Sequence, residues 1–381
     1  MTKVTWTSDA GATRAVALEV LINGPISRSD IARKLELSPG SLTRLSTPLI
    51  EAGILVEAEE RAEGRTGRPS RPLDIDPDSR RFLGAKLAGD RLVVALTDFR
   101  ASVLASEVVP LPDHRVPAVV AAIVDAAARL GADGPGLTGI GIGVGALVDA
   151  TGSIRSAPFL GWEEVPLAEL VAEATGVPTV VENDLVAFTE YEHWFGAAKS
   201  LERFAVVTLG AGIGYGLVVH DRIVLDDDSG IGLVGHWPID PFGPVCVAGH
   251  RGCARSVLTT DAVVAAASSA LHRELDYGEV MRLAALGDPG ARRVVDDAAR
   301  GLGRLVAAIG NLTMPELVVL GGEGVMLATI GAAALREGIA ADRDPRAAEV
   351  QLVMTDGDDT EWCRGAAVIA IQEYVAARNP R

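Results

Sequence analysis

Cysteine is scarce in this 381-residue chain: Cys246, Cys253 and Cys363 are the whole complement. Three thiols do not make a disulfide framework. Long apolar runs are missing too, none approaching the ~18–20 residues that a membrane span needs. The opening Met1-Thr-Lys-Val-Thr-Trp6 lacks an apolar secretory segment. A cytoplasmic protein with no membrane partner is expected. Basic charge is in short supply: 35 Lys and Arg stand against 51 Asp and Glu, for a net charge of −16. The deficit is uneven. Residues 1–76 hold ten basic and eleven acidic residues, so nearly all of the excess lies beyond them. That later part repels DNA, and any nucleic-acid contact has to come from the N-terminal segment.

That segment carries a helical pattern three times. Val16, Leu18, Val20, Leu21 and Ile22 predict a first helix ending near Asn23-Gly24-Pro25. Ser27, with Asp30 three residues on, predicts the start of a second, with Ile31, Ala32 and Leu35 inward. Ser38 as N-cap and Pro39 at the first helical position predict a third. Leu42, Leu45, Leu49 and Ile50 follow at helical spacing, Pro48 is expected to bend or loosen its third turn, and Gly53 closes it. The strings Ile54-Leu-Val-Glu57 and Pro72-Leu-Asp-Ile75 read as two short strands. Between them lies the Arg-rich stretch Arg61-Ala-Glu-Gly-Arg-Thr-Gly-Arg-Pro-Ser-Arg71.

Three small helices followed by a basic hairpin form the layout of a winged helix-turn-helix. In that arrangement Ser38, Ser41, Thr43 and Arg44 enter the major groove, with Arg28 beside them. Arg61, Arg65, Arg68 and Arg71 belong to the wing, whose tip resembles segments that lay Arg into a minor groove. A charged linker, or a three-helix module that binds only protein, is the plainer alternative.

From Phe82 onward short strands alternate with helices. Three strands, a crossover helix near 116–130 and the strand Gly139–Gly145 come first. Phe204–Leu209, Gly214–Val219 and Glu316–Gly322 make a second set. The repetition predicts two related α/β halves with a cleft between them.

The strings Gly143-Val-Gly-Ala-Leu-Val-Asp149, Gly161-Trp162, Val181-Glu-Asn-Asp184, Phe195-Gly196, Thr208-Leu-Gly-Ala-Gly-Ile-Gly214, Gly235-His236 and Cys246…Gly252-Cys253 resemble, in order and spacing, the ROK family (repressors, open reading frames and kinases), in its repressor branch. The resemblance spans nearly the whole chain. It implies an N-terminal winged helix-turn-helix over 1–76 and a two-lobed actin-like body of the sugar kinase/hexokinase type over 77–381. The lobes fall at about 77–185 with the C-terminal helix, and 186–360. It also implies a sugar-like effector, double-stranded operator DNA as partner, and a homodimer or homotetramer.

Several family positions depart from the pattern. The first phosphate loop of the kinases, Asp-x-Gly-Gly-Thr, reads Lys86-Leu-Ala-Gly-Asp90 here, which puts a carboxylate where phosphate would lie. The turn Gly210-Ala-Gly-Ile-Gly214 matches better, although Gly-rich turns also serve hairpins. No ATP is therefore expected, and no catalytic residue is assigned. Asn183 and Asp184 match the sugar-binding pair, with a helix N-cap as the structural alternative. Phe159 and Leu233 stand where the family has an amide and a carboxylate, which removes acceptors a polyol needs. His236, Cys246 and Cys253 retain part of a zinc motif, Ala248 replaces one of its cysteines, and His250 is the substitute ligand within reach.

Overall fold

The computed structural model describes residues 10–58, 71–131, 134–226 and 228–376. Arg61, Arg65 and Arg68 of the expected wing lie outside them. The chain opens with α1 (Ala10–Asn23), α2 (Arg28–Lys34) and α3 (Pro39–Glu51). The Ser27 hydroxyl accepts the Asp30 N–H at 3.1 Å and donates to the Asp30 carboxylate at 2.7 Å. Ser38 caps α3 by accepting the Ser41 N–H. Val16, Val20, Leu21, Ile31, Leu42, Leu45 and Leu49 close the small core between the three helices. The third helix continues through Pro48 to Glu51, and Gly53 at φ +66° ends it. Then β1 (Val56–Glu57) and β2 (Leu73–Asp74) pair antiparallel, with Ile26 bridging to Leu73. These are the parts of a winged helix-turn-helix.

The chain divides into two compact units. The first takes the described residues of 1–144, 150–182 and 363 onward, so the N-terminal helices belong to it. Its sheet begins with β3 (Arg81–Leu87), β4 (Arg91–Thr97) and β5 (Val103–Pro110), a meander of antiparallel neighbours. After α4 (Val116–Leu130), β6 (Leu137–Val144) returns parallel to β3, the crossover a parallel pair requires. After the short strand β7 (Leu147–Val148), whose residues belong to the second unit, comes the hairpin β8 (Ile154–Ala157) and β9 (Trp162–Val165) of the first. Next come α5 (Leu167–Thr175) and β10 (Thr179–Asn183), which sets the order β10-β6-β3-β4-β5.

The second unit takes residues 145–149 and 183–362. Its elements are α6 (Asp184–Trp194), β11 (Arg203–Leu209), β12 (Ile213–Val219), β13 (Arg222–Ile223), α7 (Ala254–Leu258), α8 (Thr260–Leu271), α9 (Tyr277–Ala285), α10 (Pro289–Thr313), β14 (Leu317–Gly321), α11 (Met326–Ile330), α12 (Ala332–Ala341) and β15 (Leu352–Met354). The sheet order is β13-β12-β11-β14-β15, again an antiparallel meander with a parallel crossover partner beside its first strand. The two sheets are built on one plan, as the repeated pattern in the sequence predicts. The amphipathic α10 buries Val295, Leu302, Leu305 and Val306 in the core of this unit.

The last helix, α13 (Asp359–Ala376), explains glycines that the sequence leaves ambiguous. A Cβ on Gly84 of β3 would lie 1.8 Å from the Cys363 carbonyl oxygen, and one on Gly141 of β6 1.7 Å from that of Ala366. These strand glycines let the helix backbone sit directly on the sheet of the first unit. Phe82, Phe99 and Tyr374 close the same contact, with ring centroids 5.7–5.8 Å apart.

Candidate functional site

The outward face of α3 follows from its capping. With Leu42, Leu45 and Leu49 buried, helical spacing turns Ser38, Thr43, Arg44 and Thr47 outward, and all four are exposed, while Ser41 is half-buried. Thr43 and Thr47 bond back to carbonyls one turn earlier, at 3.0 and 2.8 Å. Sequence reasoning passed over Gly40 and Thr47 on this face. A Cβ at Gly40 would meet nothing within 4 Å, so the helix start offers bare backbone. Arg28, expected beside this face, donates instead to the Arg71 carbonyl at 2.8 Å and to Glu57 at 2.6 Å. Arg71 lies 3.8 Å from the same carboxylate. Both arginines hold the base of the wing.

The module is tied to its own unit. Arg100 donates to the carbonyls of Leu21 and Gly24, at 3.3 and 3.2 Å, and pairs with Asp74 of β2. Arg80 donates to the Tyr374 hydroxyl at 2.9 Å and to the Ala52 carbonyl at 3.5 Å. Helix ends carry unsatisfied carbonyls, and here arginines of the first unit meet carbonyls in the last turn of α1 and just after α1 and α3.

The resemblance implies a sugar pair at Asn183 and Asp184, and the geometry gives Asn183 structural work. Its side-chain oxygen accepts the N–H groups of Leu185 and Val186 at 3.0 and 3.2 Å, capping α6, while its amide donates to the Ala146 carbonyl at 3.0 Å. Asp184 is half-buried at the first turn of α6 and accepts the Leu185 N–H. Phe159 in the first unit and Leu233 in the second are each 60% exposed. The stretch Lys86–Asp90 is a plain β3–β4 hairpin turn in which Ala88 bonds Arg91, and Asp90 pairs with Arg91 at 3.0 Å.

His236, Cys246 and His250 converge, their ligand atoms all within 4.8 Å of one another. A tight turn makes this possible: the Cys246 N–H donates to the His250 carbonyl, and Gly249 at φ +87° returns its N–H to Cys246. Burial opposes ionisation of the Cys246 thiol. Hydrogen bonds from the Ala248 and His250 backbones and from the His250 and Cys253 side chains outweigh it and bring the pKa to about 6. The Cys246 sulfur lies 3.8 and 3.7 Å from Nδ1 of His236 and His250, which are 3.1 Å from each other. Tetrahedral zinc with Zn–S about 2.3 Å and Zn–N about 2.0–2.1 Å sets donor–donor edges of roughly 3.3–3.6 Å, and these three distances bracket them. Two facing ring nitrogens need a proton or a cation between them, so the donor set fits zinc. Cys253, expected as a ligand, is fully buried; its thiol donates to Ser256 and lies beside Cys246 but outside the trio. His250 joins the trio from the surface.

The fold and much of the sequence recur in known proteins. The chain is 26% identical over 330 residues to the DNA-binding transcriptional repressor Mlc of Escherichia coli K12, covering 81% of this chain and 80% of that one. It is 26% identical over 308 residues to the xylose repressor of Bacillus subtilis 168, with 79% of each chain covered. The crystal structure of a ROK family transcriptional regulator, a homolog of the E. coli Mlc protein, matches with a TM-score of 0.83 at 25% identity, over 97% of this chain and 96% of that one. The ROK hexokinase of Thermus thermophilus matches with a TM-score of 0.65 at 29% identity, covering 99% of that enzyme but 77% of this chain. The ROK family itself matches residues 82–373, which leaves the winged module as an addition to the shared body. The chain belongs to the ROK family.

Proposed function

We propose that this protein is a DNA-binding transcriptional repressor whose α/β body senses a small molecule and does not transfer phosphate. The observation that carries this reading is the exposed face Ser38, Thr43, Arg44 and Thr47 on a capped helix within a winged module. The names of the relatives support it, and so does the altered turn at Lys86–Asp90. Operators read by such modules are usually two half-sites related by a two-fold axis, so a homodimer or homotetramer is the acting species.

The effector is of the sugar class, in line with the xylose repressor among the relatives. Leu233, in the same unit as Asp184, stands where the family has a carboxylate, and an apolar side chain there favours a ligand less polar than a hexose. Asp184 is the acceptor proposed to meet it. Zinc held by His236, Cys246 and His250 would brace the loop 236–253. Fluorescence anisotropy on labelled genomic fragments tests the central reading. Binding that weakens steeply with salt supports it, and its absence from every fragment refutes it.

A further inference from the structure

The Gly-rich turn between β11 and β12 matches a phosphate-type element better than the Lys86–Asp90 turn does, and a carboxylate of the chain itself sits on it. Glu323 lies in Gly321-Gly-Glu-Gly324, between β14 and α11. A Cβ built on Gly322 or Gly324 would come within 2.4 or 3.1 Å of Leu209. The backbone on both sides of Glu323 is therefore pressed against the end of β11. That anchorage directs the side chain onto the next residues of the chain, the turn itself. Glu323 Oε1 accepts the Ala211 N–H at 3.0 Å. Its carboxylate lies so close over Gly210 that a Cβ there would be 2.3–2.6 Å from Oε1, Cδ and Oε2.

Only a glycine permits such an approach, and backbone N–H groups in a glycine turn are what a phosphate oxygen uses. Two further groups of the turn are occupied as well: Gly210 N–H donates to the Gly212 carbonyl, and the Gly210 carbonyl accepts the Thr260 N–H at the start of α8. The Tyr277 hydroxyl donates to the Gly324 carbonyl at 2.7 Å and fixes the Glu323 loop from the other side.

We propose that Glu323 is an internal anion that fills the β11–β12 turn and excludes phosphoanions from it, whether free phosphate or the phosphates of a nucleotide. It acts as a specificity-determining residue: the turn keeps its anion-accepting backbone, and the chain supplies the anion. The inference is independent of DNA binding.

Isothermal titration of the full chain with inorganic phosphate and, separately, with magnesium ADP tests it. The wild-type protein is expected to show no saturable binding of either. Glu323→Ala should gain phosphate affinity by about tenfold or more, the weight of one charge-assisted hydrogen bond released to the ligand. Gain for phosphate alone assigns the turn to a single phosphoanion, and gain for ADP as well assigns it to nucleotide phosphates; either supports the proposal. Glu323→Gln keeps an acceptor on Ala211 but drops the charge, so a smaller gain is expected, and it decides the matter if the Ala variant does not fold. Folded variants as indifferent to phosphate and ADP as the wild type, or a wild type that binds ADP equally well, would overturn the proposal. DNA anisotropy on the same samples separates this outcome from a failure of the repressor reading.

Discussion

Arg44 is the cation on the outward face of α3, and its replacement is the most direct probe of recognition. Arg44→Ala is expected to weaken operator binding by about 1–3 kcal/mol, measured by anisotropy with melting temperature as control. Arg28 is a contrasting case: bonded to Glu57 and to the Arg71 carbonyl, it should affect DNA only through the wing base. At the metal trio, His250→Ala removes one of three converging donors, and zinc content by plasma spectrometry should fall well below one per chain. Full zinc retention in that variant would assign the position to Cys253 instead. Glu361 offers a pH test. Burial, reinforced by the charges of Asp356 and Asp358, raises its pKa above the ordinary 4.5. Stability from a group shifted this way is present at pH below 4.5 and is lost as pH rises through the raised value. Glu361→Gln should therefore melt higher than the wild type at pH 7, and the difference should vanish below pH 4.5. An unchanged melting difference across that range would count against it.

At the scale of elements, the link between the winged module and its unit rests on few groups. Arg100→Ala would leave the Leu21 and Gly24 carbonyls and Asp74 without their shared partner, at a cost of roughly 1–3 kcal/mol. Hydrogen exchange in α1 and β2 should rise accordingly. Gly141→Ala forces a methyl group into the Ala366 carbonyl. A melting temperature several degrees lower is expected, because α13 and β6 cannot both keep their places. Much of this level was legible in the sequence. Caps at Ser27 and Ser38, inward leucines at helical spacing and the doubled strand pattern follow local rules that tertiary structure did not override. The strand glycines were not legible, because their partner α13 is more than 200 residues away and no local pattern announces it. Arg28 and Asn183 were ambiguous for a related reason. A charge or an amide carries the same signal in a sequence whether it meets a ligand or caps the chain's own backbone. His250 was readable as a substitute ligand only because a missing cysteine at Ala248 drew attention to its neighbours.

For the whole molecule, the −16 net charge and a small DNA-reading module have opposite effects on association with a duplex. A two-fold assembly doubles the reading face without adding a new one, so sedimentation of the purified protein should give a dimer or a tetramer. A coupled ADP-release assay on a hexose panel should give no turnover. The path of the chain bears on how such a molecule is made. The strands carrying Gly84 and Gly141 are synthesised early, yet the backbone that seats on them belongs to Cys363 and Ala366. While the ribosome is still translating the second unit, the backbone that seats on Gly84 and Gly141 has not yet been made. The first unit's sheet thus reaches its finished packing only after residues of α13 emerge, so a chain truncated before Asp359 cannot complete it.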